Sequence, residues 1–396
     1  MQYRINQKNG EQLSQLGLGC MRFPRKGTKV DQIETNRLVS AAIDLGINYF
    51  DTAYIYPGSE AALGTALEAD GRRDEVFIAT KLPHYMCKSY EDFDRIFNAQ
   101  LSRLRTDRID YYLIHMLSNV KAWDCVKSLG VAQWIKDKLD EGQICNIGFS
   151  FHGGRMEFIE LLDVFDWDFC MVQMNYYDEF NQATMDGVRE AYKRKIPVIV
   201  MEPLRGGLLA VELPSMALRA FRNVNKGRSP AEWAFRWLFD KKEILLALSG
   251  MSCVEQLNEN VTVANDAMPD KLTEPERAAY DEVVKILNGT VKNPCTACGY
   301  CSPCPRGVSI PNCFSCYNKS YSQGRVSGLS EYVKVCGLLT SVRTDASRCN
   351  ACGKCLSLCP QKIEIPKELK KVKRRMLYFI IAPLMAFMRK QMGVRE

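Results

Sequence analysis

The 396-residue sequence predicts an α/β fold, a closed (β/α)8 TIM barrel followed by a small cysteine-rich domain. Three observations predict it. Eight short apolar runs alternate with longer amphipathic stretches between residues 16 and about 265, two runs of four cysteines recur near the C-terminus, and no Gly-x-Gly-x-x-Gly turn follows an early run. The missing turn argues against an open doubly wound sheet, and eight β-α units in roughly 250 residues match a barrel.

The apolar runs are, in order, LGLGCM, INYFDTA, VFIATK, DYYLIH, NIGFS, FCMVQMN, VIVMEP and LLALSG. The stretches between them, such as 35–45 and 121–141, carry helical periodicity and are long enough for crossover helices. KLTEPERAAYDEVVKIL, 271–287, reads as a closing helix, with Thr273 as cap and Glu276 three places on forming a capping box. NGTVKNP then reads as a linker. The expected organisation is a barrel over 1–288, a cysteine-rich domain over 289–369 and a basic and apolar tail over 370–396.

Of the 17 cysteines, eight fall in the two runs and nine are scattered, which does not suit a secreted disulfide framework. A reducing cytoplasm is expected, and MQYRINQKNGEQ carries no secretory signal pattern. The net charge of +7 equals the charge of residues 367–396 alone, which hold nine Lys or Arg and two Glu. The basic balance is thus a property of the tail, which argues against a nucleic-acid partner.

In a barrel the chemistry sits where strands end. Asp51, Lys81 and His115 each close a strand-like run, at intervals of 30 and 34 residues, and Tyr56 follows Asp51 by five. A tyrosine with an ordinary pKa of about 10 is a poor proton donor near neutrality unless a cation favours its phenolate. Lys81 can supply that cation, Asp51 can hold Lys81, and His115 can hydrogen-bond a substrate oxygen. The set suits protonation of an oxygen as hydride reaches the carbon bonded to it. His84 and His152 take the default reading of structural histidines.

DTAYIYPGSEAALG, VFIATK, DYYLIH, IGFS, VQMN, EPLRGGLL and SGMSCVEQLNEN together, over residues 1 to about 287, resemble the aldo-keto reductase family. The resemblance implies Asp51, Tyr56, Lys81 and His115 as a catalytic tetrad with Tyr56 as general acid, and a small-molecule carbonyl substrate. It also implies NAD(P)H across the barrel mouth, its carboxamide held by Ser150 and Gln173. Met201, Pro203, Leu204, Ser249, Gly250, Gln256 and Asn260 are the other implied cofactor contacts. Met201 stands where the family commonly stacks a tyrosine, and Phe151 where an asparagine often follows the serine. Gln256 and Gly250 occupy the positions whose Arg and Lys usually clamp an adenosine 2′-phosphate, so the pattern does not select NADP over NAD.

The run Cys349-x2-Cys352-x2-Cys355-x3-Cys359-Pro360 resembles the bacterial ferredoxin pattern residue for residue, and zinc is the alternative. The earlier run, Cys295-x2-Cys298-x2-Cys301-x2-Cys304-Pro305, is one residue shorter before its last cysteine. The resemblance implies a small ferredoxin-like iron-sulfur domain with two [4Fe-4S] clusters that exchange their fourth ligands. Cluster one takes Cys295, Cys298, Cys301 and Cys359, and cluster two takes Cys349, Cys352, Cys355 and Cys304. Cys313 and Cys316 are nearby substitutes for Cys304, with a structural thiol the expected role of each. The repeat of CPRGVSIP as CPQKIEIP suggests pseudo-symmetric halves, each with a short apolar strand, and GLSEYVKVCGLL reads as an inserted helix.

Hydride transfer moves two electrons and clusters pass one, a conversion that a flavin normally makes, and no flavin motif is present. Three readings stand at this point. The clusters are structural or redox-sensing; or they feed electrons to a substrate or an undetected flavin; or the chain is a non-catalytic nicotinamide-sensing subunit whose module docks a redox partner protein. Exposed clusters suggest a low-oxygen, anaerobic setting. The thirteen residues 376–388 between basic clusters would form a helix of about 20 Å, too short to span a bilayer of roughly 30 Å. Peripheral membrane contact through 370–396 is the expectation they leave open, against burial on the protein.

Overall fold

A computed structural model describes residues 1–336 and 343–376. The chain divides into two compact units, one of Met1–Pro203 with Ala231–Leu272, the other of Leu204–Pro230 with Thr273 onward. The sequence-based boundary at 288 falls inside the helix Glu274–Thr290, which belongs to the second unit.

The first unit is a closed barrel of eight parallel strands: β1 (Leu16–Gly19), β2 (Tyr49–Asp51), β3 (Phe77–Leu82), β4 (Ile109–Leu117), β5 (Ile144–Phe151), β6 (Phe169–Gln173), β7 (Val198–Met201) and β8 (Ile244–Ser249). Neighbours in the barrel follow chain order, with β8 closing on β1. Helices such as Gln32–Asp44, Ser59–Asp70 and Glu91–Leu104 provide the crossovers. Asp31 caps the first of these by accepting from the Glu34 amide.

Strand alternation fixes which side chains reach the barrel mouth. Tyr49, Ala79, Leu113, Met171 and Ile199 pack together in one buried interior cluster. Two residues further along each strand, the same inward direction belongs to Asp51, Lys81, His115, Gln173 and Met201. A Cβ on Gly17 would lie 2.8 Å from Leu248 Cδ2, so the interior at β1 is already filled by its neighbours. An antiparallel hairpin, Tyr3–Ile5 with Gln12–Ser14, contributes Leu13 to the interior cluster.

The second unit is helical. Ser215–Val224 packs on Glu274–Thr290, with Phe221 and Tyr280 rings 5.5 Å apart. The capping box at Thr273 and Glu276 is formed. Asn318 fastens the linker by accepting from the Lys292 and Asn293 amides and donating to the Asn293 carbonyl. A separate core gathers Phe314, Tyr332, Ile365, Leu369 and Val372.

The short strands expected in CPRGVSIP and CPQKIEIP are irregular backbone instead, leading into the helices Ile310–Ser322 and Ile365–Arg375. Each Ile-Pro pair places proline in a first helical turn, where its missing N–H is no loss, so the motif starts a helix. Every strand of the described residues lies within residues 3–249. The inserted helix is Arg325–Val335. No helix of the described residues is long and apolar enough to cross a membrane. The expectation for the tail, from residue 377 on, lies outside the described residues.

Candidate active site and cysteine cavities

Lys81 is buried, and its ammonium donates to both Asp51 carboxylate oxygens and to the Thr52 carbonyl, each at 2.7 Å. Burial pushes the Asp51 carboxyl upward against the pull of Lys81. For Lys81, burial opposes the charge, but Asp51 and Tyr56 favour it more, and the net direction is up.

Tyr56 sits in the loop after β2 with its ring centroid 5.1 Å from Lys81 Nζ and 6.3 Å from the His115 ring, which it meets edge-on. Burial, then the Lys81 charge, holds His115 well below its ordinary value, so its imidazole is neutral at pH 7. The β4–β5 register shifts between Ile114 and Leu117, and Met116 takes φ +61°. A bulge thus falls beside His115, where it redirects the strand end. The four tetrad positions lie together at one rim.

The expected nicotinamide contacts fall into bonded groups. Ser150 Oγ accepts from the Met116 amide at 2.8 Å, which ties β5 to the bulge. Gln173 donates to Asp178 at 2.7 Å and accepts from Gln182 at 2.6 Å. Gln182 in turn meets His152 Nδ1 at 3.2 Å, and burial lowers that imidazole to about 4. This chain fixes the orientation of the Gln173 amide, and a carbonyl oxygen with two lone pairs can still accept a ligand N–H. Ser249 and Asn260 are buried and bonded at 3.0 Å. Gln256 Oε1 accepts from the Ser252 amide at 2.9 Å. Met201 and Pro203 follow in the first unit, whereas Leu204 opens the segment belonging to the second.

Arg22 was not among the sequence-based candidates. A Cβ on Gly250 would lie 3.0 Å from Arg22 Cδ, so the missing side chain at 250 leaves room for an arginine from the loop after β1. Spacing along the chain carries no signal for this, since the two residues are far apart in sequence. Gln182 and Asp178 were missed for a related reason, being ordinary polar loop residues until the fold brings them to Gln173.

The two cysteine runs adopt matching backbones. Ala297 and Ala351 take φ +54° and +59°, and Gly299 and Gly353 take +80° and +79°. Ser302 N bonds Gly299 O as Leu356 N bonds Gly353 O, both at 2.9 Å. Left-handed residues at such spacing turn successive N–H groups into one concavity, an arrangement that accommodates anionic groups including iron-sulfur centres. The Ala297 amide lies 3.4 Å from Cys295 Sγ.

Two cavities lie beside these turns. One, of about 130 Å³, is lined by Cys304, Cys349, Cys352 and Cys355 together with Cys301. The other, of about 20 Å³, is lined by Cys295, Cys298, Cys301 and Cys359. Burial raises the Cys355 thiol against a backbone hydrogen bond that lowers it, and Cys349, Cys304 and Cys352 add to the rise. Burial likewise pushes Cys301 up to about 12, with Cys298 and Cys359 the next causes. The last cysteine of each run thus lies with the first three of the other. Cys313 and Cys316 are buried in the helical core, and neither lines either of these two cavities.

Among the described residues no group of three or more His, Cys, Asp or Glu is gathered to hold a metal ion. A compact tetrahedral zinc site would require one. A four-iron cube binds each thiolate through a different iron, so its ligands stand around a cavity rather than at one point. At about 130 Å³ the larger cavity leaves more room for such a group than the smaller, at about 20 Å³.

The profile of the aldo/keto reductase family matches residues 15–274, ending before the cysteine runs. An aldo-keto reductase of Mycobacterium sp. (strain MCS) is 27% identical over 298 residues, covering 72% of this chain and 89% of its own. An uncharacterized oxidoreductase of Bacillus subtilis is 24% identical over 321 residues, covering 69% and 93%. Among solved structures, the holo form of an aldo-keto reductase from Bacillus halodurans matches with TM-score 0.60 at 25% identity, over 72% of this chain and 96% of its own. A thermostable aldo-keto reductase solved with the inhibitor epalrestat matches with TM-score 0.59 at 25% identity, over 72% and 100%.

Proposed function

From the premise that this chain belongs to the aldo/keto reductase family of NAD(P)-dependent oxidoreductases, we propose that it reduces a small-molecule carbonyl, or oxidises the matching alcohol, with Tyr56 as the proton donor. The observation that carries this reading is the buried Lys81 ammonium, held by Asp51 and Thr52 and lying 5.1 Å from the Tyr56 ring centroid. That charge stabilises the negative charge that develops on the Tyr56 oxygen as its proton leaves. Neutral His115 offers the substrate oxygen a hydrogen bond without placing a second cation beside Lys81.

Bound nicotinamide supplies the hydride, or takes it up in the reverse direction. Ser150 and Gln173 would hold its carboxamide, Met201 and Pro203 would line the ring, and Ser249, Gly250, Gln256 and Asn260 would lie toward the adenosine. At that end the aliphatic stem of Arg22 lies beside Gly250, and its guanidinium would serve where the usual clamping positions hold Gln256 and Gly250. A 2′-phosphate would then have a charge-assisted partner, which supports NADPH as the cofactor. Dissociation constants for NADPH and NADH, with and without Arg22→Ala, test this. Equal affinities in the native protein would remove it.

The cysteine sets of the two cavities would each hold a [4Fe-4S] cluster, which supplies one-electron transfer. The paired left-handed turns and the crossed grouping of Cys304 and Cys359 support this reading, and Cys304 is favoured over Cys313 and Cys316 as the ligand of cluster two. The module then adds a one-electron or structural role to chemistry that needs no metal. A non-catalytic sensing subunit is not favoured, because the tetrad positions all carry groups suited to the reaction. A Tyr56→Phe variant assayed on a carbonyl panel tests the catalytic reading, and undiminished turnover would overturn it.

A further inference from the structure

The two cysteine cavities differ in charge. The smaller one is walled by cysteines and neutral side chains alone, whereas the larger one carries Arg306 and Lys354 in its wall and no carboxylate. Arg348 stands beside them, its Nε donating to the Arg306 carbonyl at 2.9 Å. All three cations are exposed. Some cations of this module are paired, Arg343 with Asp345, Lys367 with Glu364 and Lys371 with Glu368, whereas among the described residues no carboxylate pairs with Arg306, Arg348 or Lys354.

The same face exposes apolar surface. Leu356 and Leu358 are 45% and 40% exposed, Leu358 lies in the cavity wall, and Cys352 is itself exposed. Two exposed leucines and an exposed cysteine thus lie beside three cations that have no carboxylate partner among the described residues, an apolar patch next to positive charge. That is the composition of a surface suited to brief encounters, in which rim charges steer the approach. Cys301, Ile310 and Leu358 line both cavities, so the two are adjacent.

We infer that the face formed by Arg306, Arg348, Lys354, Leu356 and Leu358 docks a one-electron carrier protein with an acidic surface, at the cysteine set of the larger cavity. The inference rests on the reading that these cysteines hold an iron-sulfur group. One electron leaves the reduced carrier and is accepted at the cysteine-bound group. No bond forms or breaks and no proton moves. Unpaired cations set around a concave cysteine wall complement an acidic protein surface better than a flat anionic membrane.

The test uses the full-length protein, purified without oxygen, and a purified acidic [2Fe-2S] ferredoxin as probe. Iron and sulfide are measured first, and protein without iron would overturn the underlying reading together with this one. With iron present, calorimetric binding of the oxidised probe and the rate at which the reduced probe passes an electron are compared between native protein and R306E/R348E/K354E. Binding and rate are expected to fall about tenfold in the variant, and to fall similarly in native protein when salt screens the rim. Reduction by a photoexcited deazaflavin is expected to be unchanged. Equal binding by both proteins, or equal slowing with the deazaflavin, would overturn the docking face while leaving the iron-sulfur reading intact. So would anionic phosphatidylglycerol vesicles that bind in a triple-cation-dependent way while the ferredoxin does not.

Discussion

At the barrel rim the catalytic and cofactor-contact candidates are held by hydrogen bonds, Lys81 to Asp51 and Thr52, Ser150 to the Met116 bulge, Gln173 to Asp178 and Gln182. In the cysteine module the candidates instead face two cavities, and the turns that carry them spend left-handed backbone on Ala297 and Ala351. Alanine at positive φ is unfavourable by roughly 1 kcal/mol or more. The difference separates a site preorganised by its own hydrogen bonds from one organised around a group it would bind. The first should survive loss of iron, and the second should not.

The largest expected effect is on the preorganised side. Tyr56→Phe should lower kcat for carbonyl reduction by about 10²–10⁴-fold with little change in cofactor affinity, measured by steady-state kinetics and cofactor titration. An effect below tenfold would assign the proton transfer elsewhere. Asp51→Asn strands the buried Lys81 ammonium and should destabilise the barrel by about 3–5 kcal/mol in denaturant unfolding. If stability were unchanged, the pair would not be the buried charge pair described above.

On the other side, Cys355→Ser should lower iron from about eight to about four atoms per chain. Carbonyl reduction should remain within about twofold of native, since hydride transfer routes nothing through the module. Cys313→Ser should leave iron unchanged, and a matching loss in both variants would show that the ligand sets are misassigned.

The comparison can also be sharpened by pH. His152 is buried and His84 half-buried, and loss of solvent lowers both from 6.5 to about 4. Between those values the unfolded chain binds protons that the native one excludes, so stability should fall as pH drops from about 6.5 toward 4. Replacing His152 with Gln should flatten part of that slope in thermal unfolding. The smallest effect should follow Gln182→Ala, which loosens Gln173 and should raise KM for the cofactor a few-fold with kcat nearly unchanged.

How much of this was readable in the chain follows from what kind of signal each feature leaves. The barrel was legible because short apolar runs spaced by helix-length stretches, and polar residues at their ends, are local patterns, and Asp51, Lys81 and His115 recur once per β-α unit. The cysteine runs were legible by spacing alone. The strands expected in CPRGVSIP and CPQKIEIP do not form, because a short apolar stretch fits either period and the closing Ile-Pro pair, with proline in the first turn, opens a helix at Ile310 and at Ile365. Arg22 against Gly250, and Gln182 against Gln173, depend on which loops the barrel brings together, and nothing in the neighbouring residues announces them.

The measurement that tests the contrast most directly is iron and acid-labile sulfide per chain in protein purified without oxygen, followed by the same protein after chelation. The account predicts about eight of each before chelation, and afterwards loss of helical signal from the module with carbonyl reductase activity retained. A folded protein that holds zinc or no metal, and whose module is indifferent to chelation, would contradict it.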